Sequence, residues 1–220
     1  MKTLSHKLKS IFVFLLAISV YELTFAQPKC TLKKDKDNIK VYSCPAENSA
    51  FKTVRAEFEL DATIDEYIAI ALDVEGYKTW HYHVMSPRLL ERVSDSEIIY
   101  YTQISAPWPI SNRDVIMHLK LDHNLSSNTL TVTLKSLDNY LPIVKGFVRV
   151  AQSNTVLTLT PIANARLKVN YSIHADPGGK LPPWAVDLVS TQGPYETFKN
   201  LQERIKLLRK NSVLASLKLK

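Results

Sequence analysis

Residues 105–121 read SAPWPISNRDVIMHLKL: two prolines flank Trp108, and a run of alternating apolar residues follows. Proline donates no hydrogen bond to a β-ladder, so Pro107 and Pro109 predict a stiff loop that ends the preceding strand. From Arg113 onward, apolar side chains occupy every second position. That period of two is typical of a strand with one face on a core and the other on water.

Arg113 shares the parity of the apolar positions, which places its guanidinium on the buried face of the predicted strand. A charged group there requires partners, since an unpaired buried charge is costly. One interpretation is structural, a salt bridge or hydrogen bonds to loop carbonyls. The other is a polar anchor at the end of an apolar cavity.

Pro-Trp-Pro, a short gap and an Arg-Asp pair leading into a strand resemble the START lipid-transfer domain, and the resemblance extends over residues 41–209. It implies an α+β helix-grip fold, in which a curved antiparallel β-sheet wraps around a long C-terminal α-helix. It also implies the binding of lipids or sterols rather than catalysis.

The order of predicted elements agrees with that fold. Thr63 and Glu66 form a capping box for a short amphipathic helix, and we expect Gly76 to end it. Alternating patterns predict strands at 39–44, 51–60, 89–93, 97–104, from 113, at 129–134, and at 166–173. We also expect residues 147–151 and 155–161 to pair as a hairpin.

A long helix is predicted to begin near Pro182, because proline suits the first helical turn. Gly193-Pro194 lies inside it and predicts a kink or a split. The stripe expected to face the sheet recurs at four-three spacing; it comprises Trp184, Leu188, Thr191, Tyr195, Phe198, Gln202, Ile205 and Leu208.

The N-terminal 26 residues have the features of a secretory signal peptide: early lysines, an apolar run at 11–20 and a small-residue cleavage site before Gln27. We therefore predict three segments: a signal peptide at 1–26, a START-like lipid-binding domain at 27–210 and a basic tail at 211–220. The expected location is the periplasm or the extracellular space.

The two cysteines of the chain, Cys30 and Cys44, follow the predicted cleavage site closely. In an exported protein, an isolated pair predicts one disulfide, which would stabilise the fold by roughly 2–3 kcal/mol. His81 and His83 have the spacing of metal ligands, but no third ligand clusters with them, so we predict no metal site.

Charge and motifs exclude several classes of function. The net charge of +7 is mild, and no run of basic residues interleaves with aromatic ones, so nucleic acid is not an expected partner. The basic clusters at the two ends predict a solvated surface, with transient contact with a membrane as the alternative. There is no nucleophile elbow or glycine-rich phosphate loop in the sequence, and we expect no cofactor.

We therefore expect a non-enzymatic, monomeric carrier or sensor that binds one hydrophobic ligand between the sheet and the terminal helix. The alternatives are a cyclase/aromatase-like enzyme of the same superfold and a protein-binding module with a solid core. The residues expected to line the ligand site are Trp80, Tyr101, Trp108, Arg113, Val115, Met117, Leu119, Tyr171, Trp184 and Leu188.

Overall fold

The computed structural model describes residues 30–46, 49 and 51–218, with the side chains of 212–218 left undescribed. The predicted signal peptide lies outside the described residues. The strands are β1 (Thr31–Lys36), β2 (Ile39–Cys44), β3 (Thr53–Leu60), β4 (Arg88–Ser94), β5 (Glu97–Ile104), β6 (Asn112–Asn124), β7 (Thr129–Ser136), β8 (Phe147–Arg149), β9 (Gln152–Ile162) and β10 (Arg166–Asp176). The helices are α1 (Ile64–Leu72), a 3₁₀ turn (Glu75–Thr79), α2 (Pro183–Asp187), a π-helical turn (Leu188–Gln192) and α3 (Gly193–Lys218).

The described strands form one curved sheet in the order β1-β2-β3-β10-β9-β7-β6-β5-β4. These neighbours are antiparallel, and the predicted α+β helix-grip fold is confirmed. The expected hairpin of 147–151 with 155–161 is wrong. Strand β8 pairs in parallel with the start of β6, and β9 lies between β7 and β10. Sequence adjacency favoured a hairpin, but the longer β7 and β10 occupy both edges of β9.

The capping box of α1 is confirmed: the Glu66 amide donates to the Thr63 hydroxyl (3.2 Å), and the Thr63 amide donates to the Glu66 carboxylate (2.7 Å). Gly76 does not end the helix. The helix stops at Leu72 with Asp73 as its C-cap, and the amide of Gly76 donates to the Asp73 carboxylate (3.1 Å) within the 3₁₀ turn. A short side chain that accepts a backbone hydrogen bond thus ends the helix three residues earlier.

Strand β1 was missed by the sequence patterns, because nearly all of its side chains are exposed and half of them are lysines, without an apolar alternation. A tight turn at Asp37 and Asn38, both with positive φ, folds it back onto β2. The disulfide joins Cys30 to Cys44, with the Cα atoms 4.1 Å apart, and confirms the predicted pairing.

The terminal helix is divided just before Pro194. The amide of Gly193 donates to the carbonyl of Leu188, five residues back, which defines the π-helical turn. This turn shifts the helical phase, so Trp184, which is 48% exposed, lies off the stripe expected from Trp184 to Leu208. The stripe is also wrong at its other end, where Leu208 is 36% exposed. The backbone of the predicted tail is helical as far as Lys218.

The α3 helix packs on the sheet through buried residues that recur at helical spacing, namely Tyr195, Phe198, Leu201 and Ile205. The Phe198 ring stacks on Phe58 of β3, with ring centroids 4.4 Å apart, and meets Tyr171 of β10 at 4.9 Å. The face of the sheet that carries these residues is called the inner face. The opposite, outer face has a smaller cluster centred on Ile99, Tyr101 and Ile116.

Candidate functional site

Arg113 and Asp114 begin β6 as neighbours, so their side chains point to opposite faces of the sheet. Arg113 lies on the inner face with only 9% of its surface exposed. Its guanidinium donates to the carbonyls of Ser111, Pro177 (3.4 Å) and Gly178 (3.2 Å). Of the two interpretations, hydrogen bonds to loop carbonyls are the ones present. Burial lowers the pKa of Arg113.

Asp114 is completely buried on the outer face, where it forms a two-pronged ion pair with Arg149 of β8. The Nε–Oδ1 distance is 2.9 Å and the Nη2–Oδ2 distance 3.0 Å. The guanidinium of Arg149 also donates to the carbonyls of Asp138, Leu141 and Pro142. Each side chain of the Arg-Asp pair therefore holds a loop in place. Arg113 binds the loop after β10, and Asp114, through Arg149, binds the loop after β7.

These two loops lie at one end of the sheet, which we call the loop end. Antiparallel pairing brings the C-terminal ends of β5, β7 and β10 to it, together with the start of β6. The 105–111 loop, the 137–146 loop and the segment leading into α2 all emerge there.

Apolar side chains of the inner face are only partly buried at the loop end: Ile104, Leu134, Val150, Tyr171 and Ile173. Most belong to strands with a hydrogen-bonded neighbour on each side, such as β7 and β10. The residues toward the opposite end, including Leu119, Leu130, Leu159 and Leu167, are 2% exposed or less. Apolar side chains of the inner face are therefore less completely covered at the loop end than at the opposite end.

An aromatic cluster covers the inner face beside this region. The Tyr77 ring meets Tyr100 edge-on at 5.2 Å and Trp80 at 5.5 Å, and the His81 ring lies 3.8 Å from that of Trp80. The hydroxyl of Tyr77 donates to the carbonyl of Ala71. Burial lowers the pKa of His81 to about 3, so its imidazole is neutral at physiological pH.

The residues expected to line the ligand site fall into two groups. Trp80, Val115, Met117 and Leu119 lie in the main core, and Tyr171 lies partly buried on the inner face. Arg113 lies at the loop end of that face.

The other four residues expected at the ligand site do not belong to the main core. Tyr101 points to the outer face, because Tyr100 pairs with Met117 and adjacent strand residues alternate. Trp108 is 92% exposed at the tip of its proline-bounded loop, so it does not line an interior space. Trp184 is about half exposed on α2, where Ala185 is the residue that packs inward, and Leu188 is partly buried in the π-helical turn.

Two surface depressions are present, one against the outer face and one beside α3. One, of about 560 Å³, lies between β4, β5 and the 137–146 loop and is lined by Arg88, Tyr101 and Leu141 among others. The second, of about 650 Å³, includes Lys40, Glu57 and Lys206. Within the described part of the chain, no group of three or more His, Cys, Asp or Glu side chains is placed to hold a metal ion.

A curved antiparallel sheet that packs around a long C-terminal helix defines the helix-grip class of domains. The chain belongs to the START domain family, whose model matches residues 29–211.

The chain is also similar to individual proteins. It is 29% identical to an uncharacterised protein of Pseudomonas aeruginosa, over 78% of this chain and 84% of the relative. It is 21% identical to the phosphatidylcholine transfer protein of Bos taurus, over 76% of this chain and 79% of that protein.

Among solved structures, a STAR-related lipid transfer protein fragment from Xanthomonas axonopodis is 34% identical. Its TM-score is 0.73, with 80% of this chain and 98% of that one covered. Human StAR-related lipid transfer protein 5 shares the fold at a TM-score of 0.70 and 18% identity, over 95% of this chain and all of that one.

Proposed function

We propose that the protein is an exported, monomeric carrier or sensor that holds one hydrophobic ligand between the inner face and the terminal helix. The supporting observation is the partial burial of Tyr171, Ile173 and Leu134 on strands that are flanked on both sides. Protein interiors are normally close-packed, so apolar side chains in such positions retain accessible surface only where a space adjoins them. An apolar space bounded by a few polar groups suits one lipid-sized molecule.

His81 is the interior residue that a cyclase/aromatase-like enzyme would use. A general base works best with a pKa near the working pH, and an imidazole with a pKa of about 3 binds a proton too weakly for that role. Among the described residues, its ring contacts those of Trp80 and Tyr77 rather than a carboxylate. These features favour a binding protein over an enzyme.

The route into the space is proposed to open at the loop end. Large apolar side chains are exposed on three segments there: Trp108 (92%), Ile143 (72%) and Trp184 (48%). Exposed apolar residues grouped on one side of a protein favour contact with a membrane or a partner. We propose that these loops touch the bilayer transiently while α2 moves on the π-helical turn as a hinge. No helix within the described residues is long and apolar enough to cross a membrane.

Filling the proposed space tests the carrier hypothesis. Ile173→Trp is expected to leave the melting temperature within about 2 °C of wild type, because an empty space accepts the larger ring, and to abolish ligand binding. Native mass spectrometry with lipid extraction of the purified protein measures the co-purifying ligand, and thermal unfolding measures stability. Leu125→Trp, at an 81% exposed turn, is the matched control.

A solid core would give the opposite result. Ile173→Trp would then overpack the interior and cost about 1–3 kcal/mol. That loss, together with wild-type protein that binds no lipid of any class, would overturn the proposed function and favour a protein-binding module.

Export is proposed from the signal-like N-terminus and the Cys30–Cys44 disulfide, since disulfides persist in oxidising compartments. Mature protein is expected to begin near Gln27 and to contain no free thiol. Intact-mass measurement after export and thiol titration under denaturing conditions check this expectation. Two titratable thiols, or an unprocessed mass, would contradict it.

A further inference from the structure

Two tyrosine hydroxyls lie deep in the protein without a hydrogen-bond partner among the described residues. Tyr67 of α1 and Tyr100 of β5 are 5% and 4% exposed and belong to the main core. Every fully occluded side-chain nitrogen or oxygen in the described part of the chain has a partner. Because these two hydroxyls have none, each retains contact with open space. The depth of both rings places that space inside the protein.

The ring of His81 is a third group of this kind. It accepts or donates no side-chain hydrogen bond among the described residues, although it is partly buried. The ring packs against those of Tyr77 (4.8 Å) and Trp80 (3.8 Å) in the aromatic cluster. Burial there lowers its pKa.

These groups lie in one neighbourhood. The Tyr77 ring contacts both Tyr100 (5.2 Å) and His81 (4.8 Å). Tyr67 and Tyr100 belong to one buried core cluster, and Tyr171 packs against it. Burial, followed by charge repulsion from Tyr67 and Tyr171, raises the pKa of Tyr100. Burial raises the pKa of Tyr171, and Thr155 partly opposes this rise.

The described part of the inner face has one buried charged side chain, that of Arg113. The buried charged side chains of the described residues are Arg113, Asp114 and Arg149. Asp114 and Arg149 pair with each other on the outer face. Arg113 directs its guanidinium to three backbone carbonyls at the loop end. A phosphate group held beside Tyr67 and Tyr100 would therefore lack a buried counter-charge, which is costly.

We propose that the ligand is a neutral lipid whose hydroxyl or carbonyl group is buried with it, where it hydrogen-bonds with Tyr67, Tyr100 and His81. Phospholipids are excluded from this position by their charged head groups. A phenol and a neutral imidazole each donate and accept, so they match an uncharged hydroxyl in either role. The inference rests on the proposed function and specifies the class of ligand.

Two pairs of probes distinguish recognition of the ligand's polar group from recognition of its apolar part. Cholestanol and cholestane differ by one hydroxyl, and dioleoylglycerol and dioleoylphosphatidylcholine share their acyl chains. We expect at least one of the two hydroxyl-bearing probes to bind, with an affinity at least tenfold above that of its partner in competition measurements. Equal or tighter binding of cholestane or the phospholipid would overturn the inference and leave the carrier function standing. If none of the four binds, both the inference and the proposed function fail.

Conservative variants assign the effect to the named hydroxyls. Tyr67→Phe and Tyr100→Phe are expected to weaken binding of the preferred hydroxyl-bearing probe about fivefold to tenfold, the scale of one lost hydrogen bond. Affinity for its hydroxyl-free or charged partner is expected to stay unchanged, as is the melting temperature. Tyr140→Phe, at an exposed site on the outer side, is the control. A fall in melting temperature without a change in affinity would assign the hydroxyls a structural role and contradict the inference.

Discussion

Arg149→Met is expected to lower the free energy of unfolding by about 3–5 kcal/mol, the usual cost of breaking a buried ion pair from one side. The substitution leaves the carboxylate of Asp114, which is 0% exposed, without its counter-charge. It also leaves three carbonyls of the 137–146 loop without their donor. Urea unfolding followed by circular dichroism measures the loss.

Arg166→Met is the matched control. Arg166 pairs with Glu59 at 2.6 Å, but the two side chains are 38% and 52% exposed, so the expected loss is below about 1 kcal/mol. Combining Asp114→Leu with Arg149→Met is expected to recover part of the stability, because no buried charge then remains unpaired. A loss for Arg149→Met no larger than that of the control would contradict the burial of this pair.

Arg113→Met is expected to cost about 2–4 kcal/mol, because hydrogen bonds to a charged donor each contribute about 1.5–3 kcal/mol and water replaces them only partly here. The carbonyls of Pro177 and Gly178 lose their donor, which frees the segment leading into α2. We therefore also expect faster ligand release and faster amide hydrogen exchange in residues 177–187. Thermal unfolding and exchange mass spectrometry measure the two effects.

Arg113→Lys separates charge from geometry. Lysine keeps the positive charge but lacks the planar fork that reaches several carbonyls, so its stability is expected to lie between that of wild type and Arg113→Met. Wild-type stability and exchange in Arg113→Met would show that the guanidinium does not hold the β10–α2 segment.

Local patterns predicted the elements whose signals are contained in a few consecutive residues. The alternation after Arg113 predicted β6 and the inner position of its guanidinium. The capping box predicted the start of α1, and Gly193-Pro194 predicted a break in the terminal helix. Each of these features depends on backbone geometry within about one turn, which the sequence displays directly.

The tertiary structure decided which face of each strand or helix contacts its neighbours. Tyr100 and Tyr101 are alike in sequence, and only the pairing of β5 with β6 sends the first inward and the second outward. The partner of Asp114 is 35 residues away on a strand whose pairing the sequence misplaced. Lys34, predicted as part of a solvated surface, lies 3.7 Å above the ring of Tyr195 because β1 folds back beside the helix.

The sequence by itself therefore determined the order of most elements and the pair of cysteines, because periodicity, caps and turn residues act locally. The helix-grip class followed from the resemblance carried by the Pro-Trp-Pro and Arg-Asp residues. Tertiary structure alone decided that the Arg-Asp pair secures two loops, that Trp108 faces solvent and that Tyr67 and Tyr100 are buried in the main core. These features depend on contacts between residues far apart in the chain, and side-chain burial there follows from strand register and helix phase. A single added residue in the π-helical turn was enough to move Trp184 off the predicted inner stripe.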